Sequence, residues 1–202
     1  MTLLRVALTG GIATGKSFVL ARFTSLGAPT VDADSIAHKV VRAGQPTSAA
    51  IRKRFGDGVF RPDGELDRPQ LAARVFDSLK ERTALEALVH PPVRAAIEQW
   101  FANLESEGLA RFAVADIPLL FETGRHREFD RVVVTACPPQ LQLGRLMTRD
   151  QISESEARKR ISSQLTIESK VAAADFTIHT GGSEADTYRQ VDKVLRALSL
   201  EL

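Results

Sequence analysis

Eight consecutive residues, Gly10-Gly11-Ile12-Ala13-Thr14-Gly15-Lys16-Ser17, have the types and the spacing to hold a chain of phosphates. Gly10, Gly11 and Gly15 allow backbone angles that a side chain would forbid, so successive N–H groups can turn inward on an anion. Lys16 adds a mobile cation for β- and γ-phosphates, and Ser17 offers a hydroxyl to Mg²⁺. Taken alone, the same pattern fits a glycine-rich turn that happens to carry Lys-Ser. The flanks decide between the two readings. An apolar run, Leu3 to Leu8, precedes the glycines, and Phe18 to Phe23 continues as a helix. A strand therefore enters the loop, and a helix leaves it with its positive end toward the anion.

Other side chains could complete a phosphoryl-transfer site. Such a site needs an acceptor pocket, a carboxylate near the acceptor hydroxyl and cations around the transferred group. Asp32 and Asp34 are expected to end a second strand, on one side of it by alternation, within reach of the phosphate loop. Helix capping ahead of Ser35 explains them equally well. Asp116 ends an apolar run and suits a carboxylate that holds metal and water, or simply a strand-end turn. Arg145 and Arg149 lie four apart on one helix face. They could address a phosphate tail or form a solvated face. His90 precedes Pro91-Pro92 and reads equally well as a helix terminator. Trp100 and the scattered phenylalanines read as core.

The elements that must position these groups alternate between strand and helix. The first helix is expected to run to Leu26, stopped by Gly27 and Pro29. Phe112–Asp116, Arg131–Ala136 and Phe176–Ile178 read as further strands, and the β-branched run of the second suits a parallel sheet covered on both faces. Between Ser35 and Glu107 the pattern is mostly helical. Segments are expected near Ile36–Arg42, Ala49–Phe55, Pro69–Phe76, Leu79–Val89 and Pro92–Glu107, and Asp67 suits the start of the third. That stretch is too long for one crossover and reads as an inserted substrate domain over residues 35–107. The core is then residues 1–34, 108–150 and 171–202. After a helix over Gln140–Arg149, Ser153 and Glu156 form a capping box for a charged helix. Ala185–Leu198 reads as a terminal amphipathic helix. An open parallel sheet binds its ligands at the strands' carboxyl ends.

Composition narrows the function classes. Of 202 residues, 27 are basic and 25 acidic, a net charge of +2 that makes no case for nucleic-acid or membrane binding. Arginine outnumbers lysine 20 to 7, which suits phosphate recognition. The single cysteine, Cys137, leaves no internal disulfide framework and fits a reducing compartment. No apolar run approaches membrane-spanning length, and the immediate entry into a strand leaves no room for a signal peptide. A cytoplasmic protein is expected. A GTPase would read guanine with N-K-x-D, but the one asparagine, Asn103, is followed by Leu104.

Several segments together resemble the dephospho-CoA kinase family, in order and spacing. They are Leu8-Thr9-Gly10-Gly11-Ile12 running into Gly15-Lys16-Ser17, Val31-Asp32-Ala33-Asp34, His90-Pro91, and Ile117-Pro118-Leu119-Leu120-Phe121-Glu122. Arg145, Arg149-Asp150 and Arg160-Ile161 with Gln164 match the family's lid region, and the likeness covers nearly the whole chain. It implies a three-layer α/β P-loop kinase fold: a five-stranded parallel sheet, a helical substrate-binding insert and a lid over residues 151–170. It also implies ATP-dependent phosphorylation of the ribose 3′-hydroxyl of dephospho-CoA, the last step of coenzyme A synthesis. ATP and dephospho-CoA are the implied partners and Mg²⁺ the implied metal. A monomer is expected, with a weak oligomer as the alternative.

By this resemblance Asp34 corresponds to the catalytic base, Arg145 to a catalytic arginine and Lys16 to the third catalytic group. The ATP site comprises Gly11, Ile12, Ala13, Thr14, Gly15, Lys16, Ser17, Phe18 and Arg149. Thr9, Asp34, His90, Pro118, Leu119, Leu120 and Glu122 fall to the acceptor, and Ser17 and Asp116 to the metal. Two residues depart from the family's habit. Ala13 stands where glycine is common and is expected to take a φ acceptable to a side chain. Phe18 stands where threonine often follows the serine and is expected to pack inward, leaving Ser17 to the metal. Another small-molecule kinase of this fold, for a nucleoside monophosphate or a shikimate-like alcohol, is the competing reading. A slow nucleotide-binding regulator is a third.

Overall fold

A computed structural model of the chain describes residues 3–76 and 78–201. Its centre is a five-stranded, all-parallel sheet in the order β2-β3-β1-β4-β5. The strands are β1 (Leu4–Gly10), β2 (Thr30–Asp32), β3 (Phe112–Asp116), β4 (Arg131–Ala136) and β5 (Phe176–His179). β1, β3 and β4 are nearly continuous apolar runs with little exposure, as strands covered on both faces must be. The chain crosses from β1 to the edge strand β2 and returns through β3 before moving to β4 on the other side. Strand order therefore reverses at β1, the crevice where open α/β sheets bind ligands. Register aligns the rim there: Leu8 and Asp32 both pair with Asp116, and Gly10 pairs with Thr135.

One face of the sheet is covered by α1 (Lys16–Ser25) and α9 (Glu184–Leu200). Val6, Leu8, Val114, Val133 and Ile178 meet Val19, Phe23, Val191, Val194 and Leu198 there in one buried cluster. A Ser183–Asp186 capping box opens α9. Further along the chain are α6 (Pro139–Asp150), α7 (Glu154–Ser162) and α8 (Ile167–Ala172), with α6 packed on α7 and α8 against β4. The expected Ser153–Glu156 capping box is formed in full. Gln164 lies just beyond the end of α7.

The chain divides into two compact units, one of residues up to Asp32 together with those from Phe101 onward, the other Ala33–Trp100. The second contains α2 (Ala33–Val40), α3 (Pro46–Phe55) and α4 (Arg68–Phe76). Its own core holds Val41, Ile51, Phe55, Val59 and Leu71. Asp67 accepts the Gln70 N–H at 3.0 Å and starts α4 as its sequence suggests.

Two expectations fail in this region. Asp34 does not end a strand: β2 stops at Asp32, and Asp34 lies in the first turn of α2. The two-residue alternation used to align Asp32 with Asp34 therefore does not apply. Nor does His90 terminate a helix. α5 runs unbroken from Leu79 to Glu107 with Pro91 and Pro92 inside it. Each proline removes one helical donor. The apolar positions 85, 89, 93, 97 and 101 nevertheless keep a spacing of four across the prolines, with Val93, Ile97 and Phe101 buried. Burial of that continuous stripe, about 1.5–3 kcal/mol per large side chain, outweighs the lost bonds.

Candidate active site

Residues 10–17 leave the carboxyl end of β1 and feed directly into α1. The helix opens on Gly15 in the left-handed region, with no side-chain cap and no acidic residue in its first turn. Its first N–H groups and its positive end are thus offered to an anion rather than to the protein. Space for close approach exists only because of glycine. A Cβ at Gly10 would lie 2.3 Å from Thr135 Oγ1, and one at Gly11 2.7 Å from Gln142 Nε2.

The loop is held from several sides. Thr14 Oγ1 bonds the Gly11 carbonyl and Thr135 Oγ1, each at 2.8 Å. Thr180 Oγ1 donates to the Thr14 carbonyl at 2.7 Å. Gln142 Nε2 donates to the Ile12 carbonyl at 2.8 Å, and the Ile12 N–H donates to Gln164 Oε1 at 2.8 Å. Ala13 does not take an ordinary φ. At 58° it is one of two non-glycine residues in the left-handed region among the described residues. The phosphate loop demands that turn whichever residue stands there, and alanine is small enough to bear it. Phe18 likewise departs from expectation. It is half-buried and stacks on Tyr188 of α9 at 5.1 Å, instead of joining the core. Ser17 beside it is exposed, with its hydroxyl available.

At the rim Lys16 Nζ stands 3.0 Å from Asp116 Oδ1 and 3.2 Å from Oδ2. Their side chains are 16% and 5% exposed. Lys16 is therefore no loosely exposed loop lysine. It neutralises a buried carboxylate at the end of β3. An anionic Asp116 oxygen and the Ser17 hydroxyl are the hard oxygen donors that Mg²⁺ prefers, and one or two protein ligands are all it needs when phosphates supply others. That donor set fits the metal. Among the described residues no group of three His, Cys, Asp or Glu side chains forms a closed metal cage.

Arg145 of α6 donates to Thr180 Oγ1 at 3.2 Å and to the Thr180 carbonyl at 2.8 Å. Through Thr180 it reaches the Thr14 carbonyl, so this arginine is fixed relative to the phosphate loop. Burial pushes the nearby Cys137 thiol up, against the pull of Arg145 and Thr180, and keeps it protonated near neutral pH. Arg149, one turn on, is more exposed and paired through Nε with Asp150 at 2.7 Å, while Arg160 of α7 takes the other Asp150 oxygen at 2.6 Å. Arg149 lowers the Asp150 carboxyl below its usual range, assisted by Arg160.

Thr9 is fully buried and its hydroxyl donates to the Pro118 carbonyl at 3.3 Å, tying β1 to the corner after β3. In that corner Leu120 is wholly buried and anchors the turn, whereas Leu119 is 41% exposed. Glu122 Oε1 accepts from Lys170 Nζ at 2.7 Å and from the Leu165 N–H at 3.1 Å. Burial works against the Glu122 charge, but Lys170 and backbone N–H groups outweigh it and lower the pKa. Asp34 and His90 belong to the second unit and are exposed on α2 and α5.

Sequence reasoning missed Lys170, which has no exposed surface and also donates to the Gly10 carbonyl at 3.3 Å. One signal was present: Lys170 interrupts the apolar face that Ile167 and Val171 form on α8. Gln142 and the threonines at 135 and 180 left no such mark, because only the folded chain brings them to the loop.

The dephospho-CoA kinase family profile matches residues 4–186. A dephospho-CoA kinase of Anaeromyxobacter dehalogenans is 43% identical over 96% of this chain and 91% of its own length. The solved dephospho-CoA kinase from Campylobacter jejuni superposes with a TM-score of 0.69 at 30% identity, covering 98% of each chain. A shikimate kinase structure from Bacteroides thetaiotaomicron, at 13% identity and a TM-score of 0.54 over 98% and 99% of the chains, shares the fold alone. With a profile match that spans most of its length and a relative of this identity, the chain belongs to the dephospho-CoA kinase family.

Proposed function

We propose that the protein transfers the γ-phosphoryl group of ATP to the ribose 3′-hydroxyl of dephospho-CoA, giving coenzyme A and ADP. The observation that carries this reading is the uncapped N-terminus of α1 behind a glycine cradle, in a chain matched to the family over residues 4–186. In the reaction the acceptor oxygen bonds to the γ-phosphorus as the bond to the β–γ bridging oxygen breaks, and the acceptor's proton passes to a carboxylate. Asp34 is assigned as that base, on its match to the Asp-Ala-Asp element. Lys16 and Arg145 offset charge on the transferred group, and Arg149 assists at the nucleotide. Backbone groups of Gly11 to Phe18 bind the phosphates. Ser17 and Asp116 would hold Mg²⁺, which would supply positive charge to offset that of the phosphates.

Asp34 and His90, and separately the Pro118–Leu119 corner, keep the acceptor roles that the family resemblance implies. Thr9, Leu120 and Glu122 support that corner from behind, on the bonds and burial described above. The segment 151–170 is assigned as the lid. Monomeric action in the cytoplasm completes the proposal. ADP release measured with and without dephospho-CoA tests the reading. Release that depends on dephospho-CoA is expected. Equal release in its absence would favour a slow regulator, and release driven by AMP or shikimate instead would favour another kinase of this fold.

A further inference from the structure

Both peptide planes at Ile12 are gripped by side chains from far along the chain. Its N–H donates to Gln164, 152 residues away, and its carbonyl accepts from Gln142, 130 residues away, each at 2.8 Å. Gln142 is buried, and its amide nitrogen lies 2.7 Å from where a Cβ on Gly11 would fall. The residue that follows is Ala13, with φ at 58°. A residue with a Cβ stays in that region only where its surroundings over-determine it. Turning Ala13 to negative φ would rotate the Ile12–Ala13 peptide and break the bond to Gln142. Holding the preceding plane through Gln164 removes the compensating rotation at Ile12.

We propose that Gln164 and Gln142 are positioning residues which together keep Ala13 in its left-handed state, and so keep the phosphate loop in its binding shape. Neither acts on the transferred group. They stand on different kinds of element. Gln142 sits inside α6, whereas Gln164 lies in the turn between α7 and α8, so Gln164 makes nucleotide affinity depend on the placement of that turn. The inference rests on the reading of residues 10–17 as the ATP site.

The test uses calorimetric titration of ATP into wild type, Gln164→Leu, Ala13→Gly and the double variant. Losing one hydrogen bond that holds a strained loop should weaken ATP binding about 5- to 10-fold. Glycine carries no penalty at positive φ, so the Ala13→Gly background should restore most of the loss. Affinity for dephospho-CoA should stay within about twofold throughout. A merely structural glutamine would lower the melting temperature without this rescue. If wild type binds ATP but Gln164→Leu binds it equally well, or if the double variant is as weak as Gln164→Leu, the positioning role is wrong. A wild type that does not bind ATP would remove the underlying reading itself. Gln164 is half-buried in the turn after α7, so Gln164→Leu should fold, and the thermal transition verifies that it does.

Discussion

Lys16 illustrates how one side chain serves two ends. Its ammonium is the cation of the phosphate loop and also the partner of buried Asp116, 3.0 Å away. Replacing it leaves a carboxylate in a low-dielectric rim with less compensation. Lys16→Ala is therefore expected to lower stability by about 1–3 kcal/mol as well as to reduce kcat by about 10²–10³-fold. Calorimetric melting and steady-state turnover separate the two effects. Asp34, exposed on the first turn of α2, is tested by Asp34→Asn, which should reduce kcat by about 10²–10⁴-fold, with a smaller loss for Asp32→Asn. Full kcat in Asp34→Asn would assign the base elsewhere. The residues whose task is local were legible in the sequence. Gly10, Gly15, Lys16 and Ser17 announce a phosphate loop because geometry fixes their spacing. The grip of Lys170 and Gln142 on the loop was not legible, since the Gly10 and Ile12 carbonyls they hold lie more than a hundred residues away.

At the scale of elements, the segment assigned as a lid is not uniform. α7 is held at its start by the Ser153–Glu156 box and bears exposed charges such as Arg158, which pairs with Glu154. Beyond it, Gln164 is bonded to Ile12, and Lys170 of α8 is wholly buried against Glu122 and Gly10. Motion is expected in α7, with α8 as the fixed end. Amide exchange should accordingly show Glu154–Ser162 gaining protection with a non-hydrolysable ATP analogue, while Ile167–Ala172 is protected in both states. No change across α7 would argue against closure. Helix limits were less legible than helix existence. In α5 the two prolines read as a break, yet the apolar spacing of four carries the helix through them. At Asp34 the first turn of α2 begins where a strand was expected to continue, because an acidic residue after Asp32 suits a helix start as well as a strand end.

Across the whole molecule the parallel order β2-β3-β1-β4-β5 brings the ends of β1, β3 and β4 to one rim, and everything assigned to nucleotide chemistry in the first unit depends on that rim. The alternation of apolar strands and helices makes a parallel sheet readable from the sequence, but not its strand order. What the pattern could not supply was the web of threonine, glutamine and lysine bonds that gives the loop its shape. The central claim is a reaction at one hydroxyl, and ³¹P NMR of the product addresses it most directly. After incubation with ATP, Mg²⁺ and dephospho-CoA, a new phosphomonoester resonance should appear, coupled to the ribose H3′. A 3′-deoxy analogue should bind and yield none. Phosphate on another position, or a phosphorylated 3′-deoxy analogue, would contradict the account.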